Sequence, residues 1–125
     1  MKTETAQYLQ QCKAALSDEQ ARSLAETANW AHVDKAKVHE DWDVLYRKLA
    51  PLIDQLPPSA AAVQALIAEH YSIATRFYTP SQQAYIGLGL FYDDDPDMKN
   101  YHNAYHRGMV PFLGQAISIY AKAHL

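Results

Sequence analysis

Residues 38–56 read VHEDWDVLYRKLAPLIDQL. Val38, Trp42, Leu45, Tyr46, Leu49, Leu52, Ile53 and Leu56 return every three or four positions, which places them on one face of a helix. Pro51 lacks a backbone donor and crowds the preceding turn, so the spacing predicts a kink there; Pro57 and Pro58 end the element.

The same period continues toward the C-terminus. Ser59 is the expected cap of AAAVQALIAEHYSIATRFY, with Val63, Leu66, Ile67, His70, Ala74, Phe77 and Tyr78 on the buried face. Thr79 followed by Pro80 and Gln82 predicts the next start, a capping box with proline as first helical residue. Within SQQAYIGLGLFY, Gly87 and Gly89 each cost about 1 kcal/mol relative to alanine, which points to close approach by another backbone or a ligand. A short helix opens at Pro96, Gly108 breaks it, and Met109, Phe112, Leu113, Ala116, Ile117 and Tyr120 stripe the last helix.

Toward the N-terminus the signal thins. Tyr8, Leu9, Cys12 and Leu16 predict a short first helix, and Ser17 with Gln20 a capping box that opens a second one reaching about Thr27. A joint falls near Asn29 to Val33. No segment alternates with period two, so the expected fold is all-α, a single domain over 1–125 of about six to seven helices. Its N-terminal part, 1–37, carries little apolar area to secure it.

Composition limits the function classes. A chain of 125 residues with 49% hydrophobic content supports one real core. Eleven basic against fourteen acidic residues, with no basic run, leave no electrostatic footprint for nucleic acid or anionic lipid. No stretch has the length of a membrane span, and MKTETAQYLQQC lacks the apolar core of a signal peptide. The lone Cys12 rules out an internal disulfide and fits a reducing compartment, so a soluble cytoplasmic domain is expected.

The densest run of potential chemistry is FYDDDPDMKNY, 91–101. Counted as a calcium loop from Asp93 it puts Met98 where glycine is needed and Ala104 where a bidentate glutamate is needed. Adjacent acids in a turn also do not face each other across a cleft, as glycoside hydrolysis demands. The run reads instead as a helix start: Asp95 caps, Pro96 opens, and Asp97 sits in the positive first turn. His70, on an apolar stripe, suits either a hydrogen-bonded core position or a proximal haem ligand. His102 and His106 are four apart without an HExxH setting, and His32 and His39 lack a third partner at metal spacing. No phosphate loop or nucleophile signature is present, and neither a metal nor a cofactor is expected.

Nine tyrosines, two tryptophans and three phenylalanines remain. A buried tyrosine hydroxyl needs a partner, so tyrosines recurring along successive helices either form a satisfied core or line a groove for a flat, multi-ring ligand.

The ordered combination of Trp42, Leu45, Leu49 and Leu56, then VQALIAEHYSIATRFYTP, then YIGLGLFYDDDPDMKNYHNAYHRGMVPFLGQAISIYA resembles the TipAS domain. This is the drug-recognition domain of thiopeptide-responsive MerR-type regulators and of albicidin-resistance proteins. The resemblance covers roughly residues 25 to 123. It implies a globin-like helical fold without haem whose cleft binds large ring-rich peptide antibiotics, and a non-catalytic role in sequestration or sensing. Set on this chain, it points to Trp30, Trp42, Tyr46, Tyr78, Tyr85, Tyr92, Tyr101 and Tyr105 as stacking faces and hydroxyl donors. His70 would order the pocket, with a charge that makes affinity depend on pH. In some relatives the N-terminal part is mobile until ligand arrives. The winged helix-turn-helix and coiled coil of the regulators have no counterpart in this sequence, so direct DNA binding is not expected. Capture of dehydroalanine ligands through cysteine finds only Cys12, upstream of the resemblance. Two alternatives stand beside this reading: a helical protein-interaction module, and a haem protein using His70.

Overall fold

The computed structural model describes residues 5–125, and among them six α-helices and no strand. They are α1 (Ala6–Glu26), α2 (Lys35–Leu49), α3 (Ala61–Ala74), α4 (Gln82–Asp94), α5 (Pro96–Asn103) and α6 (Met109–His124), with a 3₁₀ turn at Ala50–Leu52. The all-α expectation holds, and no described helix is long and apolar enough to cross a membrane.

Helix α4 is the centre of the packing, with α1, α5 and α6 against it and α3 bridging α2 to α6. Both α4 glycines meet another backbone. A Cβ on Gly87 would stand 2.3 Å from the Cys12 carbonyl oxygen on α1, and one on Gly89 would stand 3.2 Å from the Gly114 Cα on α6. Cys12 and Leu16 are buried in the α1–α4 seam. At one end of the seam the Glu19 carboxylate accepts from the Ser81 amide (3.1 Å) and hydroxyl, an anion on the N-terminus of α4. At the other, Lys13 pairs with Asp94 at 2.7 Å.

Several boundaries differ from expectation for local reasons. Helix α1 runs unbroken through Ser17, because Cys12, Leu16 and Ser23 share one buried stripe and the serine stays exposed. Helix α2 stops at Leu49 rather than kinking, since the 3₁₀ turn places Pro51 where its missing donor costs nothing. Helix α3 begins at Ala61 without a side-chain cap and ends at Ala74, leaving Phe77 and Tyr78 in the connection to α4. Its start is held by Gln64, whose amide donates to the carbonyls of Pro58 (2.8 Å) and Ala116 (3.2 Å). The cap of α4 is Ser81, which accepts from the Ala84 amide, not Thr79. Asp95 does cap α5, accepting from the Met98 amide at 3.0 Å, with Pro96 and Asp97 in its first turn.

The α1–α2 connection is strained. Ala28, Asn29 and Trp30 have φ of 51°, 61° and 61°, three successive non-glycine residues in the left-handed region, at roughly 1–2 kcal/mol each for Ala28 and Trp30 and less for Asn29. Hydrogen bonds hold the turn: Asn29 N–H to Leu24 O (2.8 Å), Trp30 N–H to Thr27 Oγ1 (3.0 Å) and Trp30 Nε1–H to Ser23 Oγ (2.9 Å).

The glycine contacts give a paired test. Gly87→Ala forces backbone apart from backbone and is expected to destabilise by about 3 kcal/mol in urea unfolding. Gly114→Ala meets nothing within 4 Å and is expected to stabilise by up to about 1 kcal/mol through helix propensity.

Candidate ligand-binding site

The structure separates the candidate residues into three groups. Tyr46, His70, Tyr85 and Tyr92 lie in the core, none more than 4% exposed. Trp30, Trp42 and Tyr78 line a pocket between α1, α2, α4 and the α3–α4 connection. Tyr101 and Tyr105 border an open surface groove with Asp43 and Arg47, where Tyr105 donates to Asp43 at 2.6 Å.

The core group forms one directed chain of hydrogen bonds with His102. The Met98 carbonyl can only accept, so the His102 nitrogen 2.7 Å away, Nδ1, carries that ring's proton. Neutral His102 then accepts at Nε2 from the Tyr46 hydroxyl, at 3.0 Å. With its single proton committed, Tyr46 accepts from His70 Nε2–H at 3.1 Å. His70 Nδ1 is left as an acceptor and takes the Tyr85 hydroxyl at 2.8 Å. Tyr92 stacks on the His102 ring at 4.0 Å, and its hydroxyl lies 3.5 Å from His70 Nε2.

Burial, reinforced by neighbouring His102, lowers the His70 pKa to about 3, and burial lowers that of His102 against the pull of the Met98 carbonyl. Burial likewise pushes the Tyr46 and Tyr85 hydroxyls well above their ordinary range. All four rings are therefore neutral at physiological pH, and a charged His70 that tunes affinity is not what this environment supports. Both His70 nitrogens are engaged inside the core, which leaves none to coordinate a haem iron. His106 accepts from Gly108 N–H at Nδ1 and so donates from Nε2 to Asp54 at 3.0 Å. Among the described residues no three His, Cys, Asp or Glu side chains gather as a metal would require.

The core network supports the pocket directly. The Trp42 indole stacks on His70 at 5.3 Å and on Phe77 at 6.1 Å, and Trp30 meets Phe77 edge-on at 4.8 Å. His32 Nε2 reaches the carbonyls of Arg76 and Phe77, each at 3.0 Å, while Arg76 pairs with Asp41 at 2.7 Å, so α2 and its approach hold the α3–α4 connection in place. Leu16, Ala74, Phe77 and Leu88 add apolar wall, and Gln20 is polar. The partly open space between these walls is about 110 Å³. Leu16, Ala74, Phe77 and Leu88 fell on apolar helix faces in the sequence but were not named as ligand contacts, and Gln20 carried no signal beyond a capping pattern.

Two polar atoms stand apart from this satisfied interior. Trp42 Nε1 and Tyr78 Oη are buried and, among the described residues, are the side-chain atoms of that kind without a hydrogen-bond partner. An unsatisfied buried donor costs roughly 1–3 kcal/mol. Both belong to residues that line the pocket.

Residues 2–120 match the TipAS antibiotic-recognition domain. The chain belongs to this family. It is also similar to the HTH-type transcriptional regulator SkgA of Caulobacter vibrioides, in two strains, at 25% identity over 112 residues. That alignment covers 84% of this chain and 44% of the regulator, so the TipAS domain spans less than half the length of these relatives. No solved structure gives a significant match.

The neutral histidines set a pH dependence of stability. His70 titrates near 6.5 when unfolded and at about 3 when folded, so the unfolded state binds more protons as pH falls below about 6.5. Stability is full above that value and is expected to fall by about 2 kcal/mol between pH 7 and pH 5 in urea unfolding. Equal stability at the two pH values would contradict the assignment. Tyr46→Phe leaves both histidines short of a partner and is expected to cost about 3 kcal/mol in the same measurement.

Proposed function

We propose that this TipAS domain is a non-catalytic, cytoplasmic binding module that encloses a large ring-rich peptide antibiotic of albicidin or thiopeptide type, either sequestering it or reporting its presence. The observation that carries the reading is the pocket walled by Trp30, Trp42, Phe77 and Tyr78, a set of flat faces set on a rigid polar core. Family membership and the likeness to a transcriptional regulator support ligand recognition as the domain's task. Tyr46, Tyr85, Tyr92 and His70 act from behind the wall, and Tyr101 and Tyr105 supply an outer face for a ligand that extends beyond the pocket. Nothing in the charge distribution favours contact with nucleic acid by this domain itself.

A pocket of about 110 Å³ is smaller than the roughly 300–1,000 Å³ of sites for drug-sized ligands, so a wall moves when such a ligand binds. The left-handed turn at Ala28–Trp30 is the natural hinge, because its strain is released when the turn opens. The mobile part is then Trp30 and its neighbours within residues 1–37, while Cys12 and Leu16 keep α1 on α4.

The test is titration with albicidin and with a thiopeptide, followed by tryptophan fluorescence, since both tryptophans line the pocket. Saturable quenching is expected, and Trp30→Ala is expected to weaken binding by about 1–3 kcal/mol while Tyr101→Ala changes it less. Absence of any saturable change with either compound overturns the antibiotic as ligand and favours a partner helix docking on the aromatic surface.

A further inference from the structure

The core and the pocket treat polar groups in opposite ways. In the core, Tyr46, Tyr85, His70 and His102 are chained donor to acceptor until the Met98 carbonyl closes the series. At the pocket, where Trp42 stacks on His70, the Trp42 indole N–H and the Tyr78 hydroxyl have no hydrogen-bond partner, although the neighbouring Trp30 indole is satisfied by Ser23. Groups of this kind are rare in folded proteins and point to a missing partner. The Trp42 indole N–H is a donor alone and can be completed only by an acceptor; the Tyr78 hydroxyl keeps its proton, because burial raises it to about 12, and so is free to donate to the same acceptor-bearing group.

The rest of the lining narrows the chemistry. None of the pocket residues is charged, and Gln20 is the other polar side chain there. A charged group would give up its hydration without a counterion. The walls are rings and branched aliphatics, and about 110 Å³ approaches the roughly 150 Å³ of a cavity that holds one benzene.

We propose that this pocket seats one neutral, flat ring bearing hydrogen-bond acceptors and no charge, and that the wall movement which admits it uncovers the Trp42 indole N–H and the Tyr78 hydroxyl, both closed off in the free protein, as its two donors. The proposal rests on the reading of the pocket as the ligand site and names the moiety that the site selects. An extended ligand would insert one such ring and leave its remainder outside.

The probes are dimethyluracil (flat, neutral, two carbonyl acceptors, no N–H), toluene (a ring without acceptors) and benzoate (a charged ring). Indole N–H resonances of the intact protein are followed by NMR. Dimethyluracil is expected to shift the Trp42 indole signal saturably, with toluene and benzoate at least about threefold weaker. Tyr78→Phe, read at the Trp42 indole signal, and Trp42→Phe, read at the Trp30 indole signal, are each expected to weaken dimethyluracil about three- to tenfold. Tyr78→Phe is also expected to leave the free protein's melting temperature unchanged or higher, because the oxygen removed has no partner there. A merely structural hydroxyl would lower it. Toluene binding as tightly as dimethyluracil, or unchanged affinity in Tyr78→Phe, overturns the donor assignment and leaves an aromatic pocket standing. No binding by any of the three rings overturns the pocket reading together with the assignment.

Discussion

The Tyr46 hydroxyl is the atom on which this structure turns. It accepts from His70 on α3 and donates to His102 on α5, with Tyr85 of α4 feeding the far side of His70. Four helices thus converge on one string of hydrogen bonds whose direction is dictated by a single backbone carbonyl. Such a network is tolerable in a low-dielectric interior because each member is satisfied; a partial one would be worse than an apolar core. It also fixes orientation in a way that packing alone does not. The His70 ring can sit in only one plane, and that plane is the platform on which Trp42 stacks.

From this follows the contrast on which the proposed function rests. A rigid, neutral, self-satisfied centre carries a wall of aromatic rings, and beside that wall the chain leaves donors unanswered and backbone in a left-handed turn. The unfavourable features are gathered on the side where α1, α2 and the α3–α4 connection meet. They are sustained by the tight α1–α4 seam, in which Gly87 lets two backbones touch, and by the clamp of His32 and Asp41 on the connection. Strain and orphaned donors concentrated at one pocket, with the core quiet, are the expected signature of a binding site rather than of general instability.

Much of the architecture was legible in the sequence because it rests on local rules. The apolar stripe of 38–56, the Asp95-Pro96-Asp97 helix start and the close approach at Gly87 and Gly89 all reappear in three dimensions. Capping patterns were less dependable. Ser17, Ser59 and Thr79 each present a cap-like setting, yet burial of the α1 stripe, the Gln64 side chain and Ser81 decide those ends. The site was legible only as a list of aromatic residues. Helical spacing says that a tyrosine faces inward; it does not say whether its hydroxyl meets a histidine from another helix. Hence Tyr46 and Tyr85, which complete a core network, and Tyr78, which has no partner, looked alike. The family resemblance was borne out by the domain match.

The most direct test of the account is the tautomeric state of the two buried histidines, read from long-range ¹H–¹⁵N correlations of the imidazole rings at about pH 7. The account requires both rings neutral, His70 protonated on Nε2 and His102 on Nδ1. An imidazolium at either position, or the opposite tautomer at His70, would break the direction of the chain through Tyr46 and remove the fixed platform beneath Trp42.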